Sequence, residues 1–330
     1  MSEDPEQSYG GGGRYEAPDT FESAQEYAKL DVEFPRSIEV TDIHAHAIAP
    51  GETEIVAQRH GDYVRPREDA SRGSLTGESA SEVGQTAKAY FETFMNQIPE
   101  NERGSVDVLF VASDTQYFSG GRRSLETGSL AQQAAEEVFQ QMGIPLENIH
   151  NNRGELHGLD DNSGPRTMPA MREPNFLNTH PEFVDYLVNK YSQTTDDSGR
   201  KVIDTPFWIA FETDAEKELR EQVGAEGPDG IADRMEHSIN VLGRYAQAYH
   251  KLNPDRRLVI WAATHYDTIS PYVRRDIFEQ EDYKDQSLGV KLGGGITIDV
   301  DKEGNATTEI GGTNYDVPLR TSGKRPQPES

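Results

Sequence analysis

The residues able to do chemistry in this 330-residue chain are few, and most sit where an apolar run stops. Arg59-His60-Gly61 follows the run from Glu54 to Gln58, and His265 follows the run from Leu258 to Thr264. Between them, Arg122-Arg123-Ser124-Leu125-Glu126-Thr127 opens a stretch with helical spacing. A guanidinium offers a planar fork of donors suited to phosphate, and a neutral imidazole can attack phosphorus. Phosphoryl transfer asks for positive charge on the non-bridging oxygens, an in-line nucleophile and a proton for the leaving oxygen. His60 as nucleophile, Arg59 and Arg123 as clamps and His265 as a second imidazole would meet the first two demands. Singly, each has a plainer use. His60 could be a surface-loop histidine, Arg122 or Arg123 an ordinary arginine at a helix start, and His265 a buried, hydrogen-bonded histidine.

The elements around these residues make position the stronger argument. "EIVAQ" (54–58) reads as a β-strand, and "VDVLFVAS" (106–113) and "LVIWAATH" (258–265) are apolar runs of the kind that form strands buried on both faces. Helices are expected over "SASEVGQTAKAYFETFMNQI" with Ser79 or Ser81 as cap, over 124–143 with Gly143 as stop, and over 230–253. "THPEFVDYLVNKYSQ" reads as a further helix, "TPFWIAFE" (205–212) as a strand or a helix start, and 293–312 as a hairpin turning at "KEGN". Strand followed by helix, three times, predicts an α/β fold with a largely parallel sheet. Ligands of such sheets sit beyond the carboxyl ends of the strands. Arg59-His60, Ser113-Asp114 and His265 all fall there.

Composition limits the partners. The formal charge is −26 and the sequence pI near 4.7, a field that repels nucleic acid and anionic lipid. A phosphate site must therefore rest on local arginines. Hydrophobic residues make up 34% and mean hydropathy is −0.77, which suits a folded core with polar tails and insertions. The chain has no cysteine, hence neither a thiol nucleophile nor a thiolate metal site. With no apolar stretch of membrane length, a cytoplasmic protein is the expectation. Residues 1–35 read as an acidic, Gly-rich leader, 36–320 as the folded domain and 321–330 as a flexible tail. A polar insert at about 157–200 is expected to cover the pocket and set specificity.

The order of these blocks resembles the histidine phosphatase superfamily, which includes the cofactor-dependent phosphoglycerate mutases. The matching stretches are "RHG" at 59–61, "LTGESASEVGQ" at 75–85, "VLFVASD" with "RRSLETG" at 122–128, and "LVIWAATH" with the C-terminal hairpin. The resemblance spans roughly 50 to 320. It implies a three-layer α/β sandwich with a mostly parallel central sheet flanked by helices, phosphoglycerate mutase-like. It also implies hydrolysis of a small phosphomonoester through a phosphohistidine on His60, without cofactor or metal, and ahead of mutase activity. Arg59, Arg123 and His265 would form the phosphate pocket. Arg65, in "RHGDYVRP", would either join them or belong to an exposed basic loop with Arg67 and Arg72.

The proton donor has three candidates. Glu155 stands first, in "GELHGL" (154–159), which resembles the mutase branch's turn, although the matching donor position falls on His150. Glu147 comes next. Asp267 follows, because the acid branch places an Asp directly after its second histidine, whereas here Tyr266 intervenes.

Two other classes compete. Asp-x-His-x-His at 42–46 resembles the first metal-binding strand of amidohydrolases, with His44 and His46 as zinc ligands and His180, His237 or Asp267 completing the set. A phosphatase-like fold without catalysis, acting as a binding or scaffold protein, is the other.

Overall fold

The computed structural model describes residues 36–40, 43–64, 71–116, 121–150, 164–195, 199–278 and 286–319. Two compact units are distinguished, one containing residues 174–228 and the other 34–173 with 229–330.

In the larger unit the central sheet runs β10-β9-β8-β2-β6-β3-β4, with β5 also paired to β3. Strands β2 (Thr53–Arg59), β3 (Val106–Ala112) and β6 (Arg257–Thr264) are parallel and buried along their whole length. Two-sided burial explains why their sequences are continuous apolar runs rather than alternating ones. β4 (Ile149–His150) and β5 (Arg166–Thr167) extend the parallel side from β3. β8 (Gly295–Val300), β9 (Ala306–Ile310) and β10 (Thr313–Val317) form the antiparallel side and pair onto β2 through β8. A separate parallel pair joins β1 (Arg36–Val40) to β7 (Gln286–Val290).

Helices α1 (Gly77–Asn96) and α2 (Arg123–Met142) supply one face of the core. Tyr90, Phe91 and Phe94 of α1 pack with Phe110 and Trp261 of the sheet, and the Trp261 indole N–H donates to Gln58 Oε1 at 2.9 Å. The cap of α1 is Thr76, whose hydroxyl accepts from the Ser79 N–H, rather than Ser79 or Ser81. Ser79 is instead drawn into the turn before the helix, where its Oγ accepts from the Asp62 N–H. Gly143 ends α2 in the left-handed conformation, φ 69°.

The long helix α7 (Pro228–Leu252) runs back along the sheet. The Tyr249 hydroxyl donates to Asp107 at the start of β3, and His250 Nε2 is 2.8 Å from Thr53 Oγ1 at the start of β2. Arg234 lies fifteen residues earlier, roughly 22 Å at 1.5 Å per residue. That distance matches the length of the strands, so Arg234 reaches their carboxyl ends.

The smaller unit is helical: α3 (Phe176–Thr179), α4 (Pro181–Tyr191), α5 (Thr205–Glu212) and α6 (Lys217–Val223). "TPFWIAFE" is thus a helix. Asp204 caps it by accepting from the Phe207 N–H, and Pro206 occupies the first turn, where its missing N–H costs nothing. Phe176 and Phe211 stack at 4.6 Å in its core. Among the described residues no helix is long and apolar enough to cross a membrane.

Candidate active site

Strand register brings the chemical residues to one level. Arg59 is the partner of Thr264 and Ala112 the partner of Ala263, so His60, Ser113 and His265 all lie one or two residues past the same edge. The ladder continues into them: the His60 N–H donates to Thr264 O at 2.9 Å, and the Ser113 N–H to Ala263 O at 2.9 Å. Arg123 arrives as the first residue of α2, where the helix N-terminus adds its own partial positive charge.

His60 is 3% exposed and lies edge-to-face with His265, ring centroids 5.2 Å apart. Its Nδ1 is 2.7 Å from the carbonyl of Gly61. A carbonyl only accepts, so Nδ1 carries the hydrogen and Nε2 keeps its lone pair. Burial, with Arg123, His265 and Arg59 nearby, holds its pKa well below the usual histidine value. The ring is therefore a neutral imidazole of fixed tautomer. Gly61 is required by close approach: a Cβ there would lie 2.2 Å from Ser79 Oγ and 2.9 Å from Val83 Cγ2. Thr127 secures the same turn by accepting from the Gly61 N–H at 3.3 Å.

Arg59, 1% exposed, donates through Nη1 to Val290 O at 2.6 Å and lies 5.3 Å from the Tyr266 ring centre. Arg123 is buried, with Nη2 3.0 Å from Glu173 Oε2 and its guanidinium 4.0 Å from the Tyr63 ring centre. Arg122, the residue before the helix, bonds Gln116 Oε1 at 2.8 Å instead. His265 Nε2 is 3.0 Å from Ser113 Oγ and 3.2 Å from Ser124 Oγ, while its buried Nδ1 has no hydrogen-bond partner among the described residues. Burial, with Arg123, Arg234 and Arg59, keeps this imidazole neutral as well.

Asp267 sits in the first turn of α8 (Tyr266–Tyr272), two residues past His265. Burial and the charge of Glu173 push its carboxyl up to about 8, against the opposing pull of Arg123, Arg234 and Arg59. The same three arginines act on His265, so the carboxyl belongs to the same pocket. At that value the carboxyl is protonated at neutral pH.

Of the other predicted residues, Glu147 is exposed, two residues before β4. Because Ile149 pairs with Val108, Glu147 lies level with the amino end of β3, the opposite end from His60, and cannot be the donor. Glu155 and Arg65 fall outside the described residues.

The amidohydrolase expectation fails on two counts. The sheet is open, mostly parallel as expected but with three of its seven pairings antiparallel, and the expected ligands do not meet. His44 is exposed, His237 is exposed on α7, His180 bonds Thr179 in the smaller unit, and Asp267 belongs to the arginine pocket. Glu173, Arg234, Ser124 and Tyr63 also border this pocket, and no sequence pattern singled them out, whereas Ser113 was marked by its place at a strand end.

No protein-family model matches the sequence, and no match is found among curated proteins. Solved structures do resemble it. A mycobacterial glucosyl-3-phosphoglycerate phosphatase is 14% identical with TM-score 0.39, covering 78% of this chain and 97% of its own. A Hafnia alvei phytase is 11% identical with TM-score 0.36, covering 80% and 85%. A Bifidobacterium longum multiple inositol polyphosphate phosphatase, in complex with inositol hexasulfate, is 9% identical with TM-score 0.45, covering 84% and 89%.

Proposed function

We propose that the chain is a metal-independent phosphomonoester hydrolase of the histidine phosphatase type. The observation that carries this reading is a neutral, tautomer-fixed His60 held between Arg59 and Arg123 and 5.2 Å from a second neutral imidazole. His60 Nε2 attacks phosphorus in line, the P–O bond to the leaving group breaks, and the phosphoryl group rests on His60. Arg59 and Arg123 hold the non-bridging oxygens. With the Ser113 hydroxyl donating to His265 Nε2, its Nδ1–H is left to donate to a third. Asp267 protonates the leaving oxygen. It then takes a proton from the water that attacks the phosphohistidine, restoring the acid.

Charge supports a dianion. Arg59, Arg123 and Arg234 supply three positive charges, Glu173 one negative, and Asp267 none while protonated. The remaining charge of about +2 fits a phosphate dianion despite a molecule of net charge −26. In this reading the polar insert of about 157–200 chooses the substrate, because specificity resides in loops carried by a rigid scaffold.

Hydrolysis of an aryl phosphate in excess EDTA, comparing the wild type with His60→Ala, is the test. Activity should survive EDTA and fall at least roughly a thousandfold in the variant. Labelled phosphate should be trapped, acid-labile and base-stable, only on the wild type. Activity lost to EDTA, or kept by His60→Ala, would overturn the reading. A wild type inert to every phosphomonoester tried would favour the binding-protein alternative.

A further inference from the structure

The histidines at 44 and 46, which the pocket does not use, lead to a second cluster. Glu54 and Asp299 are directly opposed partners in the β2–β8 ladder, a position in which like charges repel. Glu54 is 0% exposed. Its Oε1 accepts the His46 N–H at 3.2 Å, whereas Oε2 completes no well-aligned hydrogen bond, although the Tyr90 hydroxyl lies near the carboxyl group. His46 Nδ1 lies 2.8 Å from Asp299 Oδ2, and the buried Oδ1 of that carboxylate has no hydrogen-bond partner either. One candidate ligand atom from each of His46, Glu54 and Asp299 lies within 4.8 Å of the other two, and no other such group occurs among the described residues. A cavity of about 150 Å³, lined by His44, His46, Thr297 and Glu309 among others, opens on the His46 side of the cluster.

We infer that His46, Glu54 and Asp299 form a binding site for a divalent transition-metal ion of the zinc class. Two carboxyl groups and an imidazole brought together are a donor set for a single divalent ion. The imidazole selects among such ions: zinc takes mixed nitrogen and oxygen donors, whereas magnesium and calcium prefer oxygen alone. Zinc draws nitrogen and oxygen donors of this kind to roughly 2.0–2.2 Å. The cavity leaves room for a water, or for His44, in the fourth position.

Glu54 precedes His60 by six residues, roughly 20 Å along an extended strand, so the ion takes no part in phosphoryl transfer. It clasps the entering segment 43–49 onto β2 and β8.

The test uses the full chain, stripped with a chelator, dialysed and titrated with zinc chloride by calorimetry and thermal melting. The wild type should bind one Zn²⁺ with micromolar affinity and melt several degrees higher. His46→Ala and Asp299→Asn should lose at least about tenfold in affinity together with the melting gain. Both should keep wild-type turnover of the aryl phosphate. Asp299→Asn is isosteric and relieves the carboxylate repulsion, so its loss of binding cannot be confused with unfolding. A wild type that binds zinc only at millimolar levels, or equal affinity in both variants, overturns the inference.

Discussion

At the level of single residues, the proposed catalysis rests on two groups whose charges are set against their ordinary habit. Burial keeps His60 neutral well below the usual histidine pKa, so the acid limb of kcat/KM should lie below pH 6.5. Asp267 is the mirror case, a carboxyl pushed up to about 8, and ionisation above that pH should remove the proton donor and with it the rate. Asp267→Asn should cost about 10²–10⁴-fold on an alkyl phosphate, whose leaving oxygen needs the proton, and far less on p-nitrophenyl phosphate. Equal losses on both substrates would assign the donor elsewhere.

The same carboxyl has a stability signature. The unfolded chain releases this proton near 3.8, the folded chain only near 8, so stability falls as pH rises through that window. Asp267→Asn should therefore melt higher than wild type at pH 8, by on the order of a few kcal/mol, with the gap closing toward pH 4. Melting curves at both pH values check the sign.

Among the elements, what could be read from the sequence followed the strength of the local pattern. β2, β3 and β6 were legible because two-sided burial forces continuous apolar runs, and strand ends then pointed to His60, Ser113 and His265. Arg234 was not, because a lone arginine on an amphipathic helix looks like any solvated charge until the helix is laid along the sheet. Glu173 was hidden in turn-rich sequence, and its partnership with Arg123 spans 50 positions. Thr76 takes the cap expected of Ser79 or Ser81, because Ser79 serves the turn behind the helix. That turn also makes Gly61 fragile. Gly61→Ala drives a methyl into α1 at Ser79 and Val83, and should cost about 1–3 kcal/mol by denaturant unfolding. Because the Gly61 carbonyl also fixes the His60 tautomer, kcat should fall while the protein still folds. A variant as active as wild type would show that this turn does not orient the nucleophile.

For the whole molecule, a positive pocket is set in a chain of net charge −26, and the two fields act over different ranges. Within a few ångströms of the proposed phosphate position the buried arginines dominate, because little water screens them. An approaching dianion meets the summed negative charge first, and that repulsion extends as far as the ionic atmosphere permits. The screening length shrinks from about 30 Å at 0.01 M salt to about 8 Å at 0.15 M. Raising sodium chloride across that range should therefore speed encounter while leaving contacts inside the pocket nearly unchanged. The expectation is a rise of a few fold in kcat/KM with kcat almost constant, the reverse of what an oppositely charged enzyme and substrate would show. Chloride is the salt to use, since sulfate or phosphate would compete for the arginines. A fall in kcat/KM with salt would mean that the field of Arg59, Arg123 and Arg234 governs approach well beyond the pocket. The acidic surface would then be too distant from the entrance to oppose the substrate.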